Sequence, residues 1–303
     1  MNMAPAGGLP IDFDGLPIPE TDDPKQYVAQ VTRASGSSFF LPMMLLPRPR
    51  REAMLALYAF CRETDDVADE IEDDALSSAL IKAWGEEIDA LFDGRPSHPV
   101  SHALVGPINE FGLKKDHFKD ILEGFEMDRS GAMLRPSLDE LERYCYCVAC
   151  CVGLLSVEIF GYRSAAIPTF ALHLGHAFQL TNILRDVRVD AEKGRIYLPQ
   201  DLLRKHGVSD DDILNYRFTP DFRAVAKAVA ERARGHYRSA SQYVYPDKRR
   251  LLVASEMMAS VYWRILLKIE KSDYQVLSPK LTKLTKAHKL GILARSAVRY
   301  WLN

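Results

Sequence analysis

The 303-residue chain carries 39 lysines and arginines against 41 aspartates and glutamates, a net charge of −2, with 47% hydrophobic residues. That balance excludes a strongly basic nucleic-acid binder, and the length suits one large core or two small ones. No 18 consecutive residues are apolar; the nearest run, Cys147 to Phe160, is broken by Glu158, which argues against a membrane-spanning helix.

Residues 1–24 lack the basic start and apolar centre of a secretory signal, carry acids and prolines instead, and read as a disordered lead-in. From residue 25 to 303 apolar residues recur at helical spacing and strand-like alternation is scarce, so the chain reads as one all-α domain. Pro47 and Pro49 flank the start of a helix running to about Glu72. Further helices are expected over 75–93, 98–111, 114–130, 137–160, 164–189, 199–204, 209–215, 220–244, 247–270 and 283–300. The five cysteines, Cys61, Cys145, Cys147, Cys150 and Cys151, are odd in number, and the last four crowd one apolar helix. They read as buried thiols in a reducing cytoplasm rather than as a disulfide framework, and the C-x-x-C of Cys147 and Cys150 has no second ligand pair for zinc.

Two polar stripes interrupt the apolar pattern. At 100° per residue, Tyr58, Arg62, Asp65 and Asp69 fall within an arc of roughly 60°, and Gln179, Asn182, Asp186 and Asp190 within roughly 80°. Carboxylates at i and i+4 repel, costing a bare helix a few tenths of a kcal/mol. A divalent cation reverses that penalty, and magnesium takes one or two carboxylates while water and phosphate oxygens fill its other positions. One D-x-x-x-D is usually a solvated face. Two of them, each with an arginine within three residues on an otherwise apolar helix, point to two acid walls around one polyphosphate.

These segments resemble the squalene and phytoene synthase family. The likeness runs from about residue 27 to 276 through SGSSFF (35–40), LLP (45–47), YAFCRETDDVADE (58–70), EGFEMD (123–128), YCYCVACCVG (144–153) and QLTNILRDVRVDAEKGRIYLP (179–199). The resemblance is greatest to bacterial presqualene diphosphate synthases of hopanoid biosynthesis. It implies an isoprenoid-synthase helical bundle with a central cavity. It also implies magnesium, replaceable by manganese, on Asp65, Asp69, Asn182, Asp186 and Asp190. Ser35, Ser38, Phe39, Tyr58, Gln179, Lys193, Arg195 and Tyr274 are implied as substrate contacts, with Lys193, Arg195 and Tyr197 on a closing flap. Tyr144, Arg62 and Arg185 are implied as catalytic, Tyr144 or the released diphosphate taking the proton. Val148-Ala149-Cys150-Cys151 departs from the smaller residues of many relatives, and Gly36 from a serine.

The implied reaction is head-to-head condensation of two farnesyl diphosphates without NADPH. Phytoene synthase and dehydrosqualene synthase are the rivals, and a non-catalytic assembly protein is the reading from another class. Phe178 and Phe39 are candidates to face a carbocation. His173 and His176, at i and i+3, read as packing residues because paired nitrogens do not suit magnesium, and Asp128 as a cap or salt-bridge partner. The run Lys280, Lys283, Lys286, Lys289, Arg295, Arg299 suggests peripheral contact with the inner face of the membrane. A downstream enzyme of the pathway is a further expected partner.

Overall fold

The computed structural model describes residues 22–37, 39–243, 251–279, 284–285, 291–292 and 294–295; these form helices and no strand. The lead-in expected over 1–24 lies outside them up to residue 21. Of the basic carboxyl-terminal run only Arg295 lies inside them. The chain divides into two compact groups of helices, 1–129 with 158–161, and 130–157 with 162–303.

The first group opens with α1 (Pro24–Ala34), which is absent from the sequence-derived helices. Its start is well specified: the Asp23 carboxylate accepts from Lys25 N at 2.9 Å, and Pro24 holds the first helical position. Then come α2 (Phe40–Met44), α3 (Arg48–Glu70), α4 (Asp74–Phe92), α5 (Pro99–Phe111) and α6 (Lys115–Arg129). All the others pack on α3. Fully buried Phe60 of α3 meets Trp84 of α4 at 5.7 Å and Phe118 of α6 at 5.2 Å, both edge-on. Each such pair adds about 0.5–1.5 kcal/mol beyond area burial.

A buried polar cluster lies beside this core. Glu87 accepts from Ser97 N at 2.8 Å, His98 N at 2.9 Å and Ser97 Oγ at 2.5 Å, which fastens α4 to the start of α5. His98 Nδ1 accepts from Val100 N at 3.2 Å and so caps α5, while its Nε2 stands 3.5 Å from Glu63. Burial lowers His98 to about 4 and pushes Glu63 up to about 7, so the two groups face each other uncharged between those values.

The second group comprises α7 (Leu138–Cys145), a π-helical turn (Tyr146–Cys150), α8 (Cys151–Phe160), α9 (Ile167–Glu192), α10 (Gln200–Lys205), α11 (Asp210–Leu214), α12 (Pro220–Ser241) and α13 (Val253–Lys271). The Ser137–Glu140 capping box starts α7. The π turn is a departure from the regular helix expected over 137–160. It packs on α9 at Gly175, where a Cβ would stand 2.7 Å from Cys150 Cα, and Cys150 Sγ donates to Leu172 O at 3.1 Å. All five cysteines are free, and burial pushes the Cys150 thiol up to about 12. The run Leu138–Phe160 is long and apolar enough to cross a membrane by length and composition alone, and 56% of its most apolar window is buried, as in a core helix of a bundle.

α9 is the spine of this group, with α7, the π turn, α11, α12 and α13 against it. Between α9 and α12, His173 Nδ1 lies 3.1 Å from His236 Nδ1, and the His176 ring stacks on His236 at 4.8 Å. Burial first, then His176, His173 and Arg232, hold His236 at about 4. The unfolded chain therefore binds a proton that the folded chain refuses as pH falls from about 6.5 towards 4, and stability declines through that window. His236→Gln is expected to flatten the decline of melting temperature between pH 6.5 and 4; an unchanged pH profile would contradict this.

Candidate active site

Helix α3 places the first stripe. The Arg62 guanidinium is paired with Asp66 and stands 3.7 Å from Asp65. Loss of surrounding water, then the Asp69 charge, push the Asp65 carboxyl above its usual range; Asp66 and Asp128 add to this, and Arg62 opposes it. The Asp65 side chain is still 46% exposed, which makes the ring of carboxylates the part that a bound cation would relieve. Asp128 of α6 adds its negative charge to this acidic cluster. At the other end of the stripe, Tyr58 Oη donates to Ser35 Oγ at 3.0 Å, and the Phe39 ring lies 6.5 Å from that of Tyr58. Ser35, Phe39 and Tyr58 are thus neighbours. Ser38 lies outside the described residues.

Helix α9 places the second stripe. Arg185 grips Asp186 through Nε at 2.8 Å and Nη2 at 2.5 Å and also donates to the Tyr262 hydroxyl of α13; the carboxylate raises its pKa against the opposing effect of burial. One turn earlier, Asn182 Nδ2 points to Gln179 Oε1 at 3.5 Å, and the buried Asn182 Oδ1 has no hydrogen-bond partner. A buried carbonyl oxygen without a donor costs about 1–3 kcal/mol, and a hard cation would satisfy it. The oxygen ligands of each stripe, with this amide oxygen on α9, suit a hard divalent cation. Asn182→Leu is accordingly expected to keep or raise the melting temperature while weakening magnesium-dependent turnover about 100-fold. Equal loss of both would contradict a ligand role.

Downstream of α9 the chain turns at Gly194, with φ at +73°. Arg195 N donates to Asp190 O at 2.8 Å, and Asp190, Arg195 and Tyr197 border one void of about 10 Å³. Tyr144 stacks on Tyr197 at 5.8 Å, both buried. Arg135 N donates to Ile196 O at 2.9 Å and Gln200 N to Pro136 O at 2.8 Å. The expected flap is thus anchored over 196–200, and only Lys193 and Gly194 at its head are exposed.

Tyr274 sits past the end of α13 near Glu270, Glu231, Arg234 and Asp273. The tyrosine that reaches Arg185 is Tyr262, nine residues before the helix end, or about 13 Å along the axis. Sequence reading missed Tyr262 because its apolar surroundings mark it as core. Phe178 stacks on Tyr262 at 4.8 Å, which puts this aromatic beside the Arg185 pair.

Comparison with known proteins follows the same line. The family model described as squalene/phytoene synthase matches residues 32–288. A presqualene diphosphate synthase of Rhodopseudomonas palustris is 39% identical over 88% of this chain and 94% of its own length. A chloroplastic phytoene synthase of Zea mays is 36% identical over 89% of this chain but 64% of its own length. Among solved structures, a dehydrosqualene synthase in complex with a ligand superimposes with a TM-score of 0.79 at 28% identity, covering 92% of this chain and 97% of that one.

Proposed function

Because this chain belongs to the squalene/phytoene synthase family, we propose that it condenses two farnesyl diphosphates head to head into presqualene diphosphate, in squalene and hopanoid synthesis. Two C15 diphosphates give one C30 cyclopropyl diphosphate, one inorganic diphosphate and one proton. The observation that carries the reading is the near full-length match to a presqualene diphosphate synthase, whereas the chain spans about two thirds of the maize phytoene synthase.

Bound to Asp65, Asp69, Asn182, Asp186 and Asp190, magnesium, or manganese in its place, would offset the charge that develops on the leaving diphosphate. Arg62 and Arg185 bind diphosphate oxygens through their planar forks. Asp186 and Tyr262 orient Arg185 for that task. Ser35, Tyr58 and Gln179 supply neutral polar contacts, and Lys193 and Arg195 lie on the segment that covers the phosphates. The C1 carbon of one farnesyl chain then takes the 2,3 double bond of the other. Aromatics such as the half-buried Phe178 keep water from the cation, a ring beneath it contributing roughly 0.5–2 kcal/mol. Proton loss, to Tyr144 or to the released diphosphate, closes the cyclopropane. No step uses NADPH.

The test is incubation with magnesium and either farnesyl or geranylgeranyl diphosphate, with and without NADPH, read by mass spectrometry. A cyclopropyl C30 diphosphate is the expected product. A C40 hydrocarbon would transfer the assignment to phytoene synthesis, and no diphosphate release would favour a non-catalytic member. We place the chain in the cytoplasm, held at the membrane surface by its basic carboxyl-terminal segment; unchanged liposome co-sedimentation after deletion of residues 279–303 would refute that contact.

A further inference from the structure

We propose that His173 and His236 form a two-imidazole clamp for a borderline transition-metal ion such as zinc, apart from the oxygen-rich magnesium residues. The two Nδ1 atoms stand 3.1 Å apart. Metal–imidazole bonds are about 2.0–2.1 Å long, so two of them spanning that gap subtend roughly 95–100° at the metal, between the square-planar and tetrahedral values. The bare pair shares one proton close to the Nδ1–Nδ1 line, whereas a metal ion at those bond lengths sits about 1.3 Å to one side of it, so each ring turns to aim its lone pair at the ion.

Three further features support the site. Each histidine rides on a long helix, α9 of 26 residues and α12 of 22, and the two helices pack directly together, so the spacing is pre-organised. Burial and mutual repulsion lower the pKa of His236 and His176, which keeps their lone pairs free at neutral pH. His176, one turn beyond His173, already stacks on His236 at 4.8 Å and can supply a third nitrogen by a rotamer change. Neither partner is visible from the other in sequence, since 63 residues separate His173 from His236. Imidazole nitrogen selects zinc, nickel or copper(II) over magnesium, so saturating magnesium should not displace the ion.

The full chain is dialysed against zinc in excess magnesium, and zinc retention and melting temperature are measured. One zinc per chain and a raised melting temperature are expected. His173→Gln and His236→Gln are each expected to weaken zinc binding about tenfold or more and to abolish the rise. Copper(II) bound to the unaltered chain should show two nitrogen ligands by electron paramagnetic resonance, and this pattern should disappear in either variant. Zinc bound equally well by both variants, or lost instead on Asp65→Asn, overturns the proposal. Retained circular dichroism separates loss of the site from loss of the fold.

Discussion

Asp186→Asn is expected to reduce turnover by about 100- to 1,000-fold, the range for removal of one group that stabilises developing charge. The substitution keeps the shape of the side chain but removes the charge. It therefore loosens the two contacts that hold Arg185, at 2.8 and 2.5 Å, and deletes a candidate metal oxygen. The fall should be in kcat more than in KM, because arginine and metal act most on the leaving group as it departs. Thermal unfolding, followed in parallel, should shift by no more than a few degrees. A variant with turnover within threefold of the parent would remove Asp186 from the catalytic set.

Gly175→Ala is expected to produce the largest loss of stability among single small substitutions in α9. Its added methyl would lie 2.7 Å from Cys150 Cα and 2.8 Å from Cys150 N, so a backbone must move. Overpacking of this kind costs about 1–3 kcal/mol and sometimes more, which corresponds to roughly 2–5 °C in melting temperature for a chain of this size. Gly235→Ala in α12 provides the contrast. No atom lies within 4 Å of its added methyl, so the replacement should stabilise by about 0.4–1 kcal/mol through reduced freedom of the unfolded chain. Equal responses to the two substitutions would show that close helix approach is not what requires glycine at position 175.

The helices and both acidic stripes are legible in the sequence because they are local. Carboxylates at i and i+4 share a face by the geometry of the helix alone, and Pro47, Gly161 and the residues around 191–199 punctuate the elements where chain chemistry demands a break. The first helix is obscured by composition, since the same acids and prolines that suggest a lead-in provide the Asp23 cap and the Pro24 start. What sequence pattern conceals is pairing across helices. Asp128 joins Asp65 from α6, Tyr262 reaches Arg185 from α13, and His236 meets His173 from α12. Each looks locally like a surface acid, a core aromatic or a polar helix residue.

The π turn at Tyr146–Cys150 fixes the rotational phase between the helical segments on either side of it. A single added residue in a helix advances everything beyond it by about 100°. Deleting one residue here would restore ordinary hydrogen bonding locally and still swing Tyr144 away from Tyr197 relative to the downstream segment. The segment thus tolerates exchange of side chains far better than a change in their number, and insertions or deletions among descendants of this chain should avoid it.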